Sequence, residues 1–187
     1  RDVEVPLLAA PHAGLAPRVL PYIMAYEKQN KLHIVTAVAV IRRGDGRILL
    51  LKRHDNEVVY PGFHTFPGGK VEGNDTIHET LTKETQEECG LDLEPGFILI
   101  KEKAIGRPDG QTSKSLSFLC IAKNPEAIIL DTKDFTDYIW ANLDELRKLP
   151  HVGIEAEFIK VEEIYNSRCD FTPFFTDTDK VDFRESQ

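Results

Sequence analysis

Between Thr76 and Gly90 the chain carries signals for both ends of one helix, and on its last turns it crowds negative charge. Thr76 with Glu79 three positions later fits a capping box, in which each side chain satisfies a backbone N–H of the other residue. Gly90 suits the residue just past a helix end, where the backbone turns left-handed. Ile77, Leu81, Thr85 and Cys89 recur at i+4 steps and give a modest inward stripe. The spacing predicts a helix over about Ile77–Cys89. Glu84, Glu87 and Glu88 then fall at i, i+3 and i+4 on one face. Like charges at that spacing repel by about 0.2–0.5 kcal/mol per pair. The helix dipole opposes an anion at this end by a further ~0.3–1 kcal/mol. A solvated face, with Glu79, Lys83 and Glu87 in ordinary surface pairs, is the plain alternative. A divalent cation removes the repulsion and accounts for the clustering, and oxygen-only ligands in a compact set suit Mg2+ or Mn2+.

The segment before the helix, "FPGGK" (66–70), lets backbone approach a ligand closely. Gly68 can offer a carbonyl to a metal, and Lys70 a cation to a phosphate. Pro-Gly-Gly alone also describes an ordinary turn.

Strands surround this helix. "KLHIVTAVAVIRR" (31–43) alternates as a strand does, "GDG" (44–46) is a turn signal, and "RILLLKR" (47–53) is a second strand, so a hairpin is expected. Residues 54–69 read as a loop. "FILIKEKAIG" (97–106) and "LSFLCIAK" (116–123) read as strands around the polar loop 107–115. "AIILD" (127–131) and "DYIWA" (137–141) add two more. Asn142 caps a short helix at 143–149, and a last helix spans about Gly153–Asn166 with Ile154, Phe158, Val161 and Tyr165 on one face. This order points to an α/β fold with a mixed sheet between helices. Residues 1–30, rich in Pro and Ala, form an N-terminal extension. The domain is expected over 31–170, followed by a tail at 171–187 whose phenylalanines suit the core or a dimer partner.

The net charge of −8 argues against a nucleic-acid polymer as the main partner, because backbone binding needs clustered cations. A small phosphorylated ligand is compatible with it, since a bound metal reverses the local field. Cys89, Cys120 and Cys169 form no metal or redox spacing and read as free thiols of a reducing compartment, hence the cytoplasm. The longest apolar run, "AVAVI" (37–41), is too short for a membrane span.

Taken together, residues Gly69–Leu91 resemble the Nudix box. Gly69 opens it, Asp75 occupies the first Glu place, and Lys83 stands at the Arg. Glu84 follows, Thr85 replaces an apolar residue, Glu87 and Glu88 match the Glu pair, and Gly90 and Leu91 close the pattern. The flanks "ILLLKR", "PGFHTFPGGKVE" and "DYIWANLDEL" resemble the family too, with His64 where relatives often have Trp, so the likeness covers roughly 33–166. The resemblance implies a Nudix-type α/β/α sandwich with a mixed β-sheet. It also implies a pyrophosphohydrolase acting on a nucleoside diphosphate linked to another moiety: a nucleotide sugar, a dinucleotide or an oxidised nucleoside triphosphate.

By the same resemblance, Glu84, Glu87 and Glu88, helped by the Gly68 carbonyl, hold Mg2+ or Mn2+. Glu84 is the first choice for general base, with Glu87, Glu88 or a downstream acid as alternatives. Lys83 stands where the family's Arg orients a catalytic Glu, and a Lys lacks that planar fork. Arg53 and Lys70 are expected to contact substrate phosphate, and Glu72 to support the metal shell. Asp134, Asp137, Glu155 and Glu157 are candidates for a further acid. Asp75 and Lys83 favour the alternative of a catalytically weak nucleotide-binding or regulatory module. Many relatives pair up, which keeps a homodimer among the expectations.

Overall fold

A computed structural model describes residues 32–106 and 110–167. The N-terminal extension 1–30, Cys169 and the tail with its phenylalanines lie outside the described residues. The elements are β1 (His33–Ile41), β2 (Ile48–Arg53), β3 (His64–Thr65), β4 (Gly68–Lys70), α1 (Ile77–Cys89), β5 (Ile98–Gly106), β6 (Thr112–Cys120), β7 (Phe135–Ala141), α2 (Leu143–Leu146) and α3 (Glu155–Asn166).

Two sheets carry the fold. The first is mixed, in the order β4-β1-β6-β5, with β1 and β6 parallel over their whole length from His33↔Thr112 to Ile41↔Cys120. The second is antiparallel, in the order β3-β2-β7. Side chains alternate along a strand, so each central strand feeds two cores. Ala37, Ala39, Ile41, Leu49 and Leu51 pack with Leu81 and Cys89 of α1. Val40, Ile48, Leu50 and Leu119 pack with Phe158 and Val161 of α3. Helices therefore cover the strands from both sides, as the α/β/α expectation requires.

The helix α1 forms as its sequence signals ask. Thr76 Oγ1 accepts from Glu79 N, the Glu79 side chain accepts from Thr76 N, and Gly90 follows in the left-handed region at φ 67°. Asn142 and Glu145 make the same capping box for α2.

Three expectations are corrected. The hairpin of β1 and β2 is limited to its turn: Arg42 bridges Ile48, and Arg43 N donates to Arg47 O at 2.8 Å. Beyond that point both edges of β1 are taken by β4 and β6, and both edges of β2 by β3 and β7, so the strands diverge into different sheets. Residues 127–131 are not a strand. Ile129 N donates to Cys89 O at 3.0 Å and Asp131 N to Glu88 O at 2.9 Å, so these amides close the open end of α1. The polar loop expected over 107–115 already becomes β6 at Thr112, because β1 offers it a parallel edge there.

Candidate active site

The short strand β4 lays Gly68 and Gly69 against β1 and in front of the last turns of α1. Gly68 has φ 142°, and a methyl group there would meet the Val38 Cα at 2.6 Å, so only glycine fits. Gly69 is constrained by the site itself: a methyl group would meet both carboxylate oxygens of Glu84 at 2.5 Å. The Glu84 carboxylate thus rests on the bare Cα of Gly69. Next to it, Glu88 Oε2 accepts a hydrogen bond from Gly68 N at 2.8 Å.

Burial pushes the Glu88 carboxyl up to about 8; the Gly68 N–H pulls the other way, and the charges of Glu84 and Asp134 push it further. Glu84 is likewise raised, first by burial and then by Glu87, with Lys83 opposing and Glu72 adding. Among the described residues neither carboxylate forms an ion pair. They are desolvated acids short of positive charge, and a hard divalent cation with oxygen preference fits that deficit. Among the described residues no three His, Cys, Asp or Glu side chains are gathered into a ready-made cluster. Glu87, on the same face, is exposed.

The other predicted residues fall as follows. Lys83 is exposed and is felt at Glu84 through its charge. Lys70 is exposed at the end of β4. Arg53 ends β2, with its Nε donating to Val59 O at 2.8 Å and its Nη2 to Glu57 Oε2 at 2.7 Å. Glu57 carries no sequence signal for this role. Asp75 turns back within the approach to α1, its N donating to Glu72 O at 2.9 Å. Of the four further acids, Asp134 is the one whose charge reaches Glu88. Asp137 is exposed and accepts from Tyr138 N at 2.8 Å. Glu155 faces Arg147 at 3.8 Å. Glu157 is wholly buried and pairs with Lys103 at 2.7 Å.

His64 is buried, and its Nδ1 lies 3.0 Å from Pro150 O. His78 stacks on Phe97, a structural role. Trp140 belongs to the core, and Cys89 and Cys120 are free and buried, their thiols pushed up by burial, Cys89 to about 12.

A cavity of about 230 Å3 is lined by Arg53, Tyr60, Phe66, Lys103, Ser117 and Glu157 among others. Arg53 belongs to both regions, because its charge also acts on Glu88. An acidic helix end against paired glycines, with an arginine that acts on it and also lines a cavity, is the arrangement of a Nudix pyrophosphohydrolase. The NUDIX domain family model matches residues 32–161, and the chain belongs to the Nudix hydrolase family. The nucleoside triphosphatase NudI of Salmonella typhimurium is 36% identical over 120 residues, covering 59% of this chain and 84% of that protein. The MutT NUDIX hydrolase of Burkholderia pseudomallei is 26% identical with a TM-score of 0.59, over 71% of this chain and 98% of that one. The NUDIX domain of Shewanella oneidensis NrtR, crystallised with ADP ribose, shares the fold at a TM-score of 0.61 and 17% identity, over 78% of this chain and 97% of that one.

Proposed function

We propose that the chain hydrolyses a pyrophosphate bond in a nucleoside triphosphate, or in a nucleoside diphosphate linked to another moiety, in the presence of Mg2+ or Mn2+. The observation that carries this reading is the placement of two desolvated carboxylates, Glu84 and Glu88, directly on the Gly68–Gly69 turn. Glu84, Glu87 and Glu88 with the Gly68 carbonyl would hold the cation. When bound, such an ion offsets charge on the phosphoryl oxygens and acidifies water.

The chain's own residues divide the remaining tasks. Glu84, whose carboxyl burial holds above the ordinary carboxylate range, takes a proton from the attacking water. The water oxygen bonds to phosphorus as the bridging P–O bond breaks, and the leaving phosphate departs with that bond's electron pair. Lys83 favours the charged form of Glu84, against burial, rather than clamping it, because a lysine lacks the planar fork of arginine. Arg53 and Lys70 hold substrate phosphates, and Asp134 is the supporting acid nearest in effect to Glu88. The likeness to proteins named nucleoside triphosphatase favours a triphosphate within this class.

The catalytic domain in this reading spans 31–170, bracketing the family match at 32–161. Buried free thiols support a cytoplasmic setting, and no helix among the described residues is long and apolar enough to cross a membrane.

The test is a panel of nucleoside triphosphates, nucleotide sugars and dinucleotides incubated with Mg2+ or Mn2+, with release of nucleoside monophosphate as the readout. Glu84→Gln should lower turnover by about 10²–10⁴-fold, the usual contribution of a general base. Turnover close to wild type would remove Glu84 from that role.

A further inference from the structure

Arg53 ends β2, lines the cavity and acts on Glu88 through its charge. A guanidinium offers its donors along two edges, one formed by Nε and Nη2 and the other by Nη1 and Nη2. The first edge is occupied from within the chain: Nε donates to Val59 O at 2.8 Å and Nη2 to Glu57 Oε2 at 2.7 Å. Nη1 takes no partner among the described residues, so the second edge is available to a ligand.

The loop that supplies both acceptors is shaped to do so. It departs from Arg53 and returns beside it, where Arg53 N donates to Phe63 O at 2.9 Å. Within it Glu57 N donates to His54 O, and Phe63 N to Tyr60 O, each at 3.2 Å. Tyr60 has φ 52° and is the single non-glycine residue in the left-handed region among the described residues. A bulky side chain rarely adopts that conformation, and such strain persists where the surrounding structure needs the shape. Apolar burial does not account for it, since Val58, Val59 and Tyr60 are all exposed. Rotation about φ of Tyr60 sets how the Val59–Tyr60 peptide is turned, and it is this peptide whose carbonyl meets Arg53 Nε.

We propose that Glu57 is a positioning residue: with the Val59 carbonyl it holds the Nε edge of Arg53, so that the Nη1–Nη2 edge meets a substrate phosphate as a fork. This rests on the reading of the site as a pyrophosphohydrolase with Arg53 on the phosphates. Two-point binding needs both donors oriented together. A free arginine loses rotamer freedom when it binds, and Glu57 removes that loss in advance. The charge of Glu57 works the other way, because it offsets part of the arginine's pull on an anion. The pair is partly exposed, at 26% and 27%, so solvent screens this opposition while the geometry is kept. Were competition the stronger effect, removing Glu57 would tighten phosphate binding; the sign of the change separates the two.

The experiment is a cycle of Glu57→Ala, Arg53→Ala and the double variant, with Glu57→Gln as the conservative member. Binding of inorganic pyrophosphate to the full chain without metal is measured by calorimetry, beside KM and kcat for nucleoside triphosphates with Mn2+. Glu57→Ala should weaken pyrophosphate binding and raise KM by about tenfold, KM moving more than kcat. Glu57→Gln keeps an oxygen that accepts from Nη2 and should recover most of the loss. With Arg53→Ala already present, Glu57→Ala should cost nothing further, because residues in contact are not additive. Pyrophosphate binding that is unchanged or tighter in Glu57→Ala, absent from the wild type, or additive around the cycle overturns the proposal. If no triphosphate is hydrolysed while the cycle on pyrophosphate is coupled, the hydrolytic reading fails and the positioning stands. If triphosphates are hydrolysed while the two positions act independently, the positioning fails and the hydrolytic reading stands.

Discussion

Glu88 Oε2 accepts the Gly68 N–H at 2.8 Å, across 20 positions of sequence, and so ties the end of α1 to the glycine turn. The bond fixes one carboxylate oxygen and leaves the other for a ligand. It also sits in a desolvated place, which gives Glu88 an unusual titration.

Burial raises this carboxyl to about 8 from an ordinary 4.5. Between those values the folded chain holds a proton that the unfolded chain releases, so stability falls as pH rises. The contribution is complete below about 4.5 and lost as pH passes about 8. Thermal denaturation of chelator-treated protein should show the melting temperature declining from pH 5 to 8.5, and Glu88→Gln should flatten that decline. Metal binding displaces protons from ligands, so Mn2+ added at pH 7 should release about one proton, read by calorimetry in buffers of different ionisation enthalpy. An equal slope in wild type and variant would count against this titration.

Gly69→Ala and Gly68→Ala should fail in different ways. At Gly69 the new methyl group strikes the Glu84 carboxylate, the far end of a flexible side chain, so the fold survives and the base is displaced. Turnover should drop by about 10²-fold or more with little change in melting temperature. At Gly68 the methyl group strikes backbone, at Val38 Cα, in a conformation that L-residues avoid, so the fold itself suffers by ~1–3 kcal/mol. Equal melting temperatures for the two variants would contradict this division.

Thr85 is fully buried, and its Oγ1 has no hydrogen-bond partner among the described residues. The box pattern places an apolar side chain there. Thr85→Val keeps the shape and removes the unsatisfied hydroxyl, which should stabilise the protein by about 1 kcal/mol. For a chain of this size that is a rise of roughly 2–4 °C in melting temperature. A variant that melts lower than wild type would show that the hydroxyl has a partner.

The parts of this molecule that announce themselves in sequence are those whose partners lie within a few residues. The capping boxes of Thr76 and Asn142, the left-handed Gly90 and the shared face of Glu84, Glu87 and Glu88 all depend on spacing alone. What escaped depends on distant partners. β1 and β2 look like a hairpin until β4 and β6 claim the edges of β1. Residues 127–131 have a strand's composition, but their amides serve the end of a helix. Glu157 reads only as one candidate for a further acid, because only the folded sheet brings Lys101, Lys103 and Ser117 beneath it. The hold of Glu57 and Val59 on Arg53 is similarly invisible, since an irregular loop has no period to read.

The amides of Ile129 and Asp131 close the last turn of α1, and that turn carries Glu88. A helix end ordinarily frays by itself, since its final carbonyls answer only to water. Here fraying must also peel away a stretch some forty residues downstream, whose flanking Ile128 and Leu130 pack, partly buried, against the core. The acidic turn is therefore basted to the body of the protein from outside the helix, and damage to that remote seam would slacken the reaction centre without touching any group that performs the chemistry.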